Sequence, residues 1–373
     1  MDKICVENKM ENRKTYLAGI DFIRIIACLM IFAFHTRGFM ELSYGFLNEY
    51  VNQGAIFCSV FFVVSGFSLY LSNNKRNLMQ ITDMKAFYKK RFIGIMPAYI
   101  VVWIGYYVFL GGTNGMAVDK FFILFPIDFF GIRCELLYLP GMNYFWYISC
   151  LMISYIIYPF MQEVVKQLKI RETVVLVVVL YFLLIYCKYC EDYFETSVIT
   201  YYVPVFRVFQ VLIGMSCCKF MKYINESESV KTSILPKIKI CVLVISTLFF
   251  VFLYKNFLKY GNEWMWYDIF IIPCLVGILT NIDCINIHKG LLQSVTKFIA
   301  GISYEVYLFQ VWIIAFFTKT AMGIEFFENK NNITRIVIVW ISTFVISYLF
   351  NRGIRFISTY VANFMKNKVI ELR

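Results

Sequence analysis

The stretch "GIDFIRIIACLMIFAFHTRGF", residues 19–39, has the apolar composition of a membrane-spanning helix, yet it carries Asp21, Arg24 and His35. Ionisable groups are costly inside a bilayer, and those found in spans generally face a bundle interior or an aqueous cavity. Steps of three and four residues place these three side chains along one stripe of a helix. We therefore expect this helix to turn its ionisable stripe towards other helices rather than towards lipid.

Similar apolar stretches recur along the chain. Of its 373 residues, 60% are hydrophobic and only 16% are charged, which is more apolar residue than a soluble core needs. The composition predicts an all-α polytopic transmembrane bundle. With about 20 apolar residues per span, we predict ten spans, at 17–38, 51–72, 92–111, 143–162, 172–188, 198–218, 238–255, 264–281, 296–318 and 333–351.

Basic residues are concentrated in alternate loops between the predicted spans. This alternation predicts that both termini lie in the cytoplasm and that the protein is a multi-pass protein of the cell membrane. The predicted organisation is a cytoplasmic tail over 1–16, a transmembrane domain over 17–351 and a cytoplasmic tail over 352–373. The apolar segment within 112–142 is too short to span; it either caps a site or serves packing alone.

Two other readings of the composition are disfavoured. The formal charge of +12 is typical of basic loops in a membrane protein, and no basic, aromatic-rich domain stands apart to bind nucleic acid. The twelve cysteines lack the spacing of a metal site. We therefore expect no nucleic-acid partner, no metal and no permanently bound cofactor.

The first span offers the strongest candidates for chemistry. Asp21 and Arg24 are three residues apart, so they can form an ion pair that either orients the helix or serves a function. His35 is either an interfacial histidine satisfied by water or a general base acting near neutral pH. Arg24 and His35 are separated by eleven residues, about 16 Å of helical rise, which excludes direct contact.

Two further segments combine apolar and polar residues. Ser65 and Gly66 lie in a span of otherwise large residues, where small residues allow close helix approach. Alternatively, Ser65 is a nucleophile, although the motif that usually surrounds a nucleophilic serine is not present. Lys90 and Arg91 stand where a basic cluster runs into an apolar helix. They either anchor the topology or bind a phosphorylated ligand from the cytosol.

The fourth and ninth predicted spans contribute aromatic and polar candidates. Trp146 and Tyr147 stand at the start of a span, where aromatic residues commonly mark the membrane interface. Glu305 and Gln310 occur among aromatic residues, and Glu305 should face inward or lie at the membrane edge.

Six segments, taken in order, resemble the motifs of the acyltransferase 3 family, integral-membrane enzymes that O-acylate extracytoplasmic glycans. They are "YLAGIDFIRIIACLMIFAFH" (16–35), "FFVVSGFSLY" (61–70), "KRFIGIMPAYI" (90–100), "NYFWYISCLMISYIIYP" (143–159), "FQVLIGM" (209–215) and "ISYEVYLFQ" (302–310).

The resemblance implies a cytosolic acyl-CoA donor, most often acetyl-CoA, and a glycan acceptor on the other side of the membrane. Arg91, with Lys89 or Lys90, would hold the charged nucleotide. His35 would activate the acceptor hydroxyl or briefly carry the acyl group, and Arg24 would position or stabilise charge. The further substrate-binding residues that it implies are Asp21, Ser65, Trp146, Tyr147, Glu305, Tyr307 and Gln310.

Two positions depart from the family pattern. Gly94 stands where the family often has a second arginine, and Gln310 stands where it commonly has a histidine. A glutamine cannot act as a base, so the second departure shifts the catalytic role towards His35. The alternative function is a transporter or flippase, although the sequence shows neither the inverted repeats nor the paired broken helices frequent in such proteins.

Overall fold

The computed structural model describes residues 16–105, 146–195, 200, 203–226, 234–257, 264–285 and 290–371. Within these ranges the chain is almost entirely helical and forms no β-strand, which confirms the predicted all-α bundle. Short 3₁₀ turns lie at Gly45–Leu47, Gly54–Ile56 and Ile282–Cys284. The α-helices are α1 (Ala18–Met40), α2 (Asn48–Asn52), α3 (Phe57–Asn73), α4 (Ile81–Gly105), α5 (Trp146–Gln167), α6 (Ile170–Tyr193), α7 (Pro204–Glu226), α8 (Leu235–Phe257), α9 (Trp264–Thr280), α10 (Leu291–Lys319), α11 (Ala321–Glu328) and α12 (Asn332–Glu371).

Each predicted span overlaps one of these helices. Residues 106–111, 143–145, 198–199 and 201–202 of the predicted spans lie outside the described residues. In the described part of the chain, eight helices are long and apolar enough to cross a membrane. The other two are α4, whose first half is basic, and α9, which has 17 residues. The predicted segment within 112–142 and the second histidine, His288, lie outside the described residues.

Helix α4 begins earlier than the sequence predicts. The predicted span starts at residue 92, whereas the helix starts at Ile81, so Lys90 and Arg91 lie near the middle of its length. Lysine and arginine are good helix formers, so a helix continues through a basic segment that an apolar criterion assigns to a loop. These two side chains are consequently fixed on a rigid element.

Helix α12 is also longer than predicted. The predicted span ends at residue 351, but the helix continues to Glu371 and includes most of the predicted tail. A loss of apolar residues ends a membrane span without ending a helix, because no proline interrupts this stretch.

Close contact between α3 and α7 holds the centre of the bundle. A Cβ added to Gly66 would lie 1.9 Å from the carbonyl oxygen of Val211, and one added to Gly214 would lie 1.8 Å from that of Val63. Only glycine leaves room for backbones this close. The expected role of Gly66 in close helix approach is confirmed.

Helix α1 packs against α3 on one side and α10 on another. Its Cys28 thiol lies 3.6 Å from the carbonyl oxygen of Ser303 in α10. The two helices run in the same direction, because residues near the start of α1 contact Lys297 and His35 contacts Gln310. We call the two ends of the bundle the Ala18 end and the Met40 end.

At the Met40 end, a hydrogen-bonded tyrosine ties α1 to α12. The hydroxyl of Tyr44 lies 2.6 Å from that of Thr36 and accepts a hydrogen bond from the Trp340 indole at 3.0 Å. Burial raises the pKa of Tyr44, so the group remains a neutral phenol. This tie holds α1 to α12 at Thr36, the residue that follows His35.

Candidate active site

Two adjoining cavities run into the bundle from the Ala18 end. The outer one, about 320 Å³, begins at Tyr16 and Asp21. The deeper one, about 240 Å³, extends as far as Ile31 and Tyr307. The residues that line both are Arg24, Ser65, Lys90, Arg91 and Tyr155.

The shared part of the cavities is positively charged. Arg24 from α1 meets Lys90 and Arg91 from the basic half of α4. Lys89, the alternative to Lys90, does not line either cavity. Asp21 is the one acidic residue among the described lining residues, so cations outnumber carboxylates three to one there. The arrangement favours an anionic ligand.

The predicted pair of Asp21 and Arg24 is present. A guanidinium nitrogen of Arg24 lies 3.4 Å from the Asp21 carboxylate. Both groups line the outer cavity, so the pair belongs to the site as well as to the helix.

Aromatic rings hold the Arg91 side chain in place. Its guanidinium carbon lies 5.3 Å from the centre of the Phe87 ring and 5.6 Å from that of Tyr155. Cation–π contacts orient a guanidinium without neutralising it. Among the described residues, no carboxylate forms an ion pair with Arg91. Its charge therefore remains available to an anion in the cavity.

A further cation stands at the mouth of the outer cavity. The Lys297 ammonium lies 4.0 Å from the centre of the Tyr16 ring. Burial, together with the nearby charge of Asp21, raises the pKa of Tyr16 to about 12. Tyr16 is therefore a neutral phenol at physiological pH.

Hydroxyl groups and aromatic rings line the deeper cavity. The Tyr304 hydroxyl donates a hydrogen bond to the carbonyl oxygen of Ile95 at 3.1 Å, which holds α10 against α4. The Tyr147 hydroxyl makes a polar contact with Ser65. The rings of Tyr147 and Tyr307 lie 4.9 Å apart at the inner end of the cavity.

His35 lies one helical turn beyond Ile31, the residue of α1 that lines the deeper cavity. Its imidazole makes a polar contact with the Gln310 side chain. Gln310 in turn donates a hydrogen bond to the carbonyl oxygen of Tyr307 at 2.9 Å. The structure thus brings together the two positions that the sequence singled out near the Met40 end.

Four predicted site residues do not line either cavity: His35 and Gln310, which lie beyond the inner end, and Glu305 and Trp146. The Glu305 carboxylate accepts a hydrogen bond from Asn351 of α12 at 2.5 Å. Trp146 packs over a buried arginine instead. The predicted residues that do line the cavities are Asp21, Arg24, Ser65, Lys90, Arg91, Tyr147 and Tyr307.

That buried arginine, Arg207 of α7, was not among the predicted site residues. It is fully buried, donates hydrogen bonds to Ser59 at 2.6 Å and Gln210 at 3.1 Å, and lies 5.2 Å from the Trp146 ring centre. The available signal was an arginine inside a predicted span. Its contacts join α3, α5 and α7 near the Met40 end.

A family model described as an acyltransferase domain matches residues 17–352, nearly the whole chain. Neither the curated proteins nor the solved structures include a match to this chain. The matched range contains both the cationic cavity and His35, so the match and the geometry concern the same part of the molecule.

Proposed function

We propose a specific reaction for this chain, which belongs to the acyltransferase 3 family. It transfers an acyl group, in the first place acetyl, from cytosolic acyl-CoA to a hydroxyl of an extracytoplasmic glycan. The family and the apolar helices make it a multi-pass membrane acyltransferase. The observation that carries the finer proposal is a cavity with three cations at the Ala18 end and His35 just beyond its inner end.

The cationic part of the cavity suits the phosphates of acyl-CoA. Arg91 can form two parallel hydrogen bonds to a phosphate, and Lys90 adds a mobile point charge. The basic loop pattern assigns the Ala18 end to the cytoplasm, where acyl-CoA is found. With its phosphates there, the donor would direct its uncharged pantetheine arm along the deeper cavity towards Tyr147 and Tyr307.

His35 is suited to act on the acceptor. As a neutral imidazole it would accept the proton of a glycan hydroxyl while that oxygen attacks the thioester carbonyl. A carbon–oxygen bond forms, the carbon–sulfur bond breaks, and CoA leaves as a thiolate that then takes up a proton. In the alternative route, an imidazole nitrogen first carries the acyl group and then passes it to the hydroxyl. Gln310 would hold the ring in one orientation in either route.

The test uses the full chain, purified into nanodiscs, with acetyl-CoA labelled in the acetyl group and an extracted surface glycan. We expect label in the glycan only when protein, donor and glycan are all present. A control variant is Glu49→Gln, which changes an exposed side chain of α2 at the Met40 end. Solute uptake that does not depend on acyl-CoA would instead support a transporter.

The acceptor is identified in cells. Mass spectrometry of surface glycans from strains with and without the protein should show one acyl mass lost from one sugar. Identical glycan masses in the two strains would contradict the proposed acceptor class.

A further inference from the structure

The deeper cavity stops short of His35 at a pair of aromatic rings. Among the described residues, Ile31, Tyr147 and Tyr307 line its inner part, and His35 lies four residues beyond Ile31, about 6 Å along the helix. An acyl group that reaches His35 through this cavity would therefore pass the two tyrosines. We call Tyr147 and Tyr307 the tyrosine pair.

Contacts on several sides hold this pair across the cavity. The two rings come from different helices, α5 and α10, and their centres lie 4.9 Å apart. The Phe62 ring also lies 4.9 Å from that of Tyr147, and the Tyr147 hydroxyl contacts Ser65. Tyr147 is 7% exposed and Tyr307 is 9% exposed. Both residues line the deeper cavity.

Tyr307 is also connected to the catalytic candidate. Its carbonyl oxygen accepts the hydrogen bond from Gln310, whose side chain contacts His35. A displacement of the Tyr307 backbone would therefore disturb the imidazole, whereas a rotation of its ring leaves that carbonyl oxygen in place. This favours passage by a group small enough to need only a ring movement.

We propose that the tyrosine pair is a gate that selects the acyl group by size and admits only short chains to His35. The inference rests on the proposed function and extends it to the class of donor. A packed wall resists each added methylene, because surrounding rings must move from well-filled positions. Differences of one methylene in such a pocket commonly change selectivity tenfold or more.

The experiment measures binding, so it does not depend on turnover. The probes are the stable thioethers S-ethyl-CoA, S-butyl-CoA and S-hexyl-CoA, titrated against the full chain in nanodiscs. The variants are Tyr307→Ala and Tyr147→Ala, which open the gate from opposite walls, and Tyr307→Phe, which keeps the ring. Tyr254→Ala is the matched control, since it removes a buried tyrosine that packs on Tyr50 and does not line the cavity.

We expect the wild-type protein and the variants Tyr307→Phe and Tyr254→Ala to bind S-hexyl-CoA at least about tenfold more weakly than S-ethyl-CoA. In Tyr307→Ala and Tyr147→Ala this ratio should fall at least about threefold. Because the two alanine variants lie on different helices, misfolding of one leaves the other to decide.

The contrary results are distinct. An unchanged ratio in a folded alanine variant that still binds S-ethyl-CoA overturns the gate and leaves the proposed function standing. Failure of the wild-type protein to bind any of the three compounds overturns the acyl-CoA donor, and the gate with it.

Discussion

The cavity at the Ala18 end and the surroundings of His35 near the Met40 end differ in charge. At the Ala18 end, Arg24, Lys90 and Arg91 surround a cavity that contains one carboxylate among its described lining residues. Near the Met40 end, His35 contacts the neutral side chain of Gln310 and the rings of Phe34 and Phe39. A tyrosine pair separates the two environments.

The difference indicates a division of labour. A cavity lined by three cations and one carboxylate suits the binding of an anionic molecule that arrives from water. A neutral imidazole beside an uncharged amide can accept a proton from a hydroxyl. We therefore expect substitutions at the Ala18 end to weaken donor binding, whereas substitutions near His35 lower the rate of acyl transfer.

The largest effect is expected from His35→Ala. Loss of a general base should lower kcat for acyl transfer by about 10²- to 10⁴-fold, while the dissociation constant for CoA changes little. Transfer of labelled acetyl and CoA titration, on the same preparation, measure the two effects. Undiminished transfer would remove His35 from the mechanism and with it the division between the two ends.

Arg91→Gln tests the opposite end. Charge-assisted hydrogen bonds contribute roughly 1.5–3 kcal/mol, so KM for acetyl-CoA should rise about tenfold to a hundredfold while kcat stays within about threefold. Lys89→Gln is the matched control, because Lys89 is exposed on the same helix and does not line either cavity. Equal effects of the two substitutions would mean that general surface charge, and not the cavity, binds the donor.

Gln310→Leu should lower kcat about tenfold and leave KM for acetyl-CoA unchanged. The substitution removes one hydrogen bond of about 1.4 kcal/mol, and that free energy corresponds to a tenfold change in rate. The variant Gln310→His keeps a polar partner for His35 and should retain activity within about threefold. Steady-state kinetics of both variants separate the two quantities. A rise in KM alone would place Gln310 with the donor-binding residues.

The smallest effect is expected from Gly94→Arg. Gly94 lines the deeper cavity, and a Cβ added there meets nothing within 4 Å, so the longer side chain has room to enter. The added cation should lower KM for acetyl-CoA about threefold. Gly94→Ala is the control, because alanine and arginine both have a greater helix propensity than glycine. A raised KM specific to the arginine would show that the donor needs the space.

Much of this arrangement could be predicted because it is local in sequence. The spans follow from runs of apolar residues, and the pairing of Asp21 with Arg24 follows from their spacing on a helix. The closeness of His35 to Gln310 is different. The sequence marked both positions, but only the parallel packing of α1 and α10 brings them together.

Other features escaped because local composition conceals them. Arg207 stands inside a predicted span, but its fully buried position depends on Ser59 and Trp146 from two other helices. The early start of α4 was missed because hydropathy detects apolar segments, whereas helices also continue through lysine and arginine. The inward position of Lys90 and Arg91 follows from that longer helix.

By itself, the sequence determined the all-α membrane bundle, the stripe of ionisable groups on α1 and the resemblance to the family that the chain belongs to. These properties depend on residue type and on spacing within one element. The tertiary structure alone decided that cations from α1 and α4 share a cavity, that Glu305 faces Asn351, and that two tyrosines stand before His35. The physical reason is that a site made from several helices depends on how they pack, and packing joins residues that are far apart in the chain.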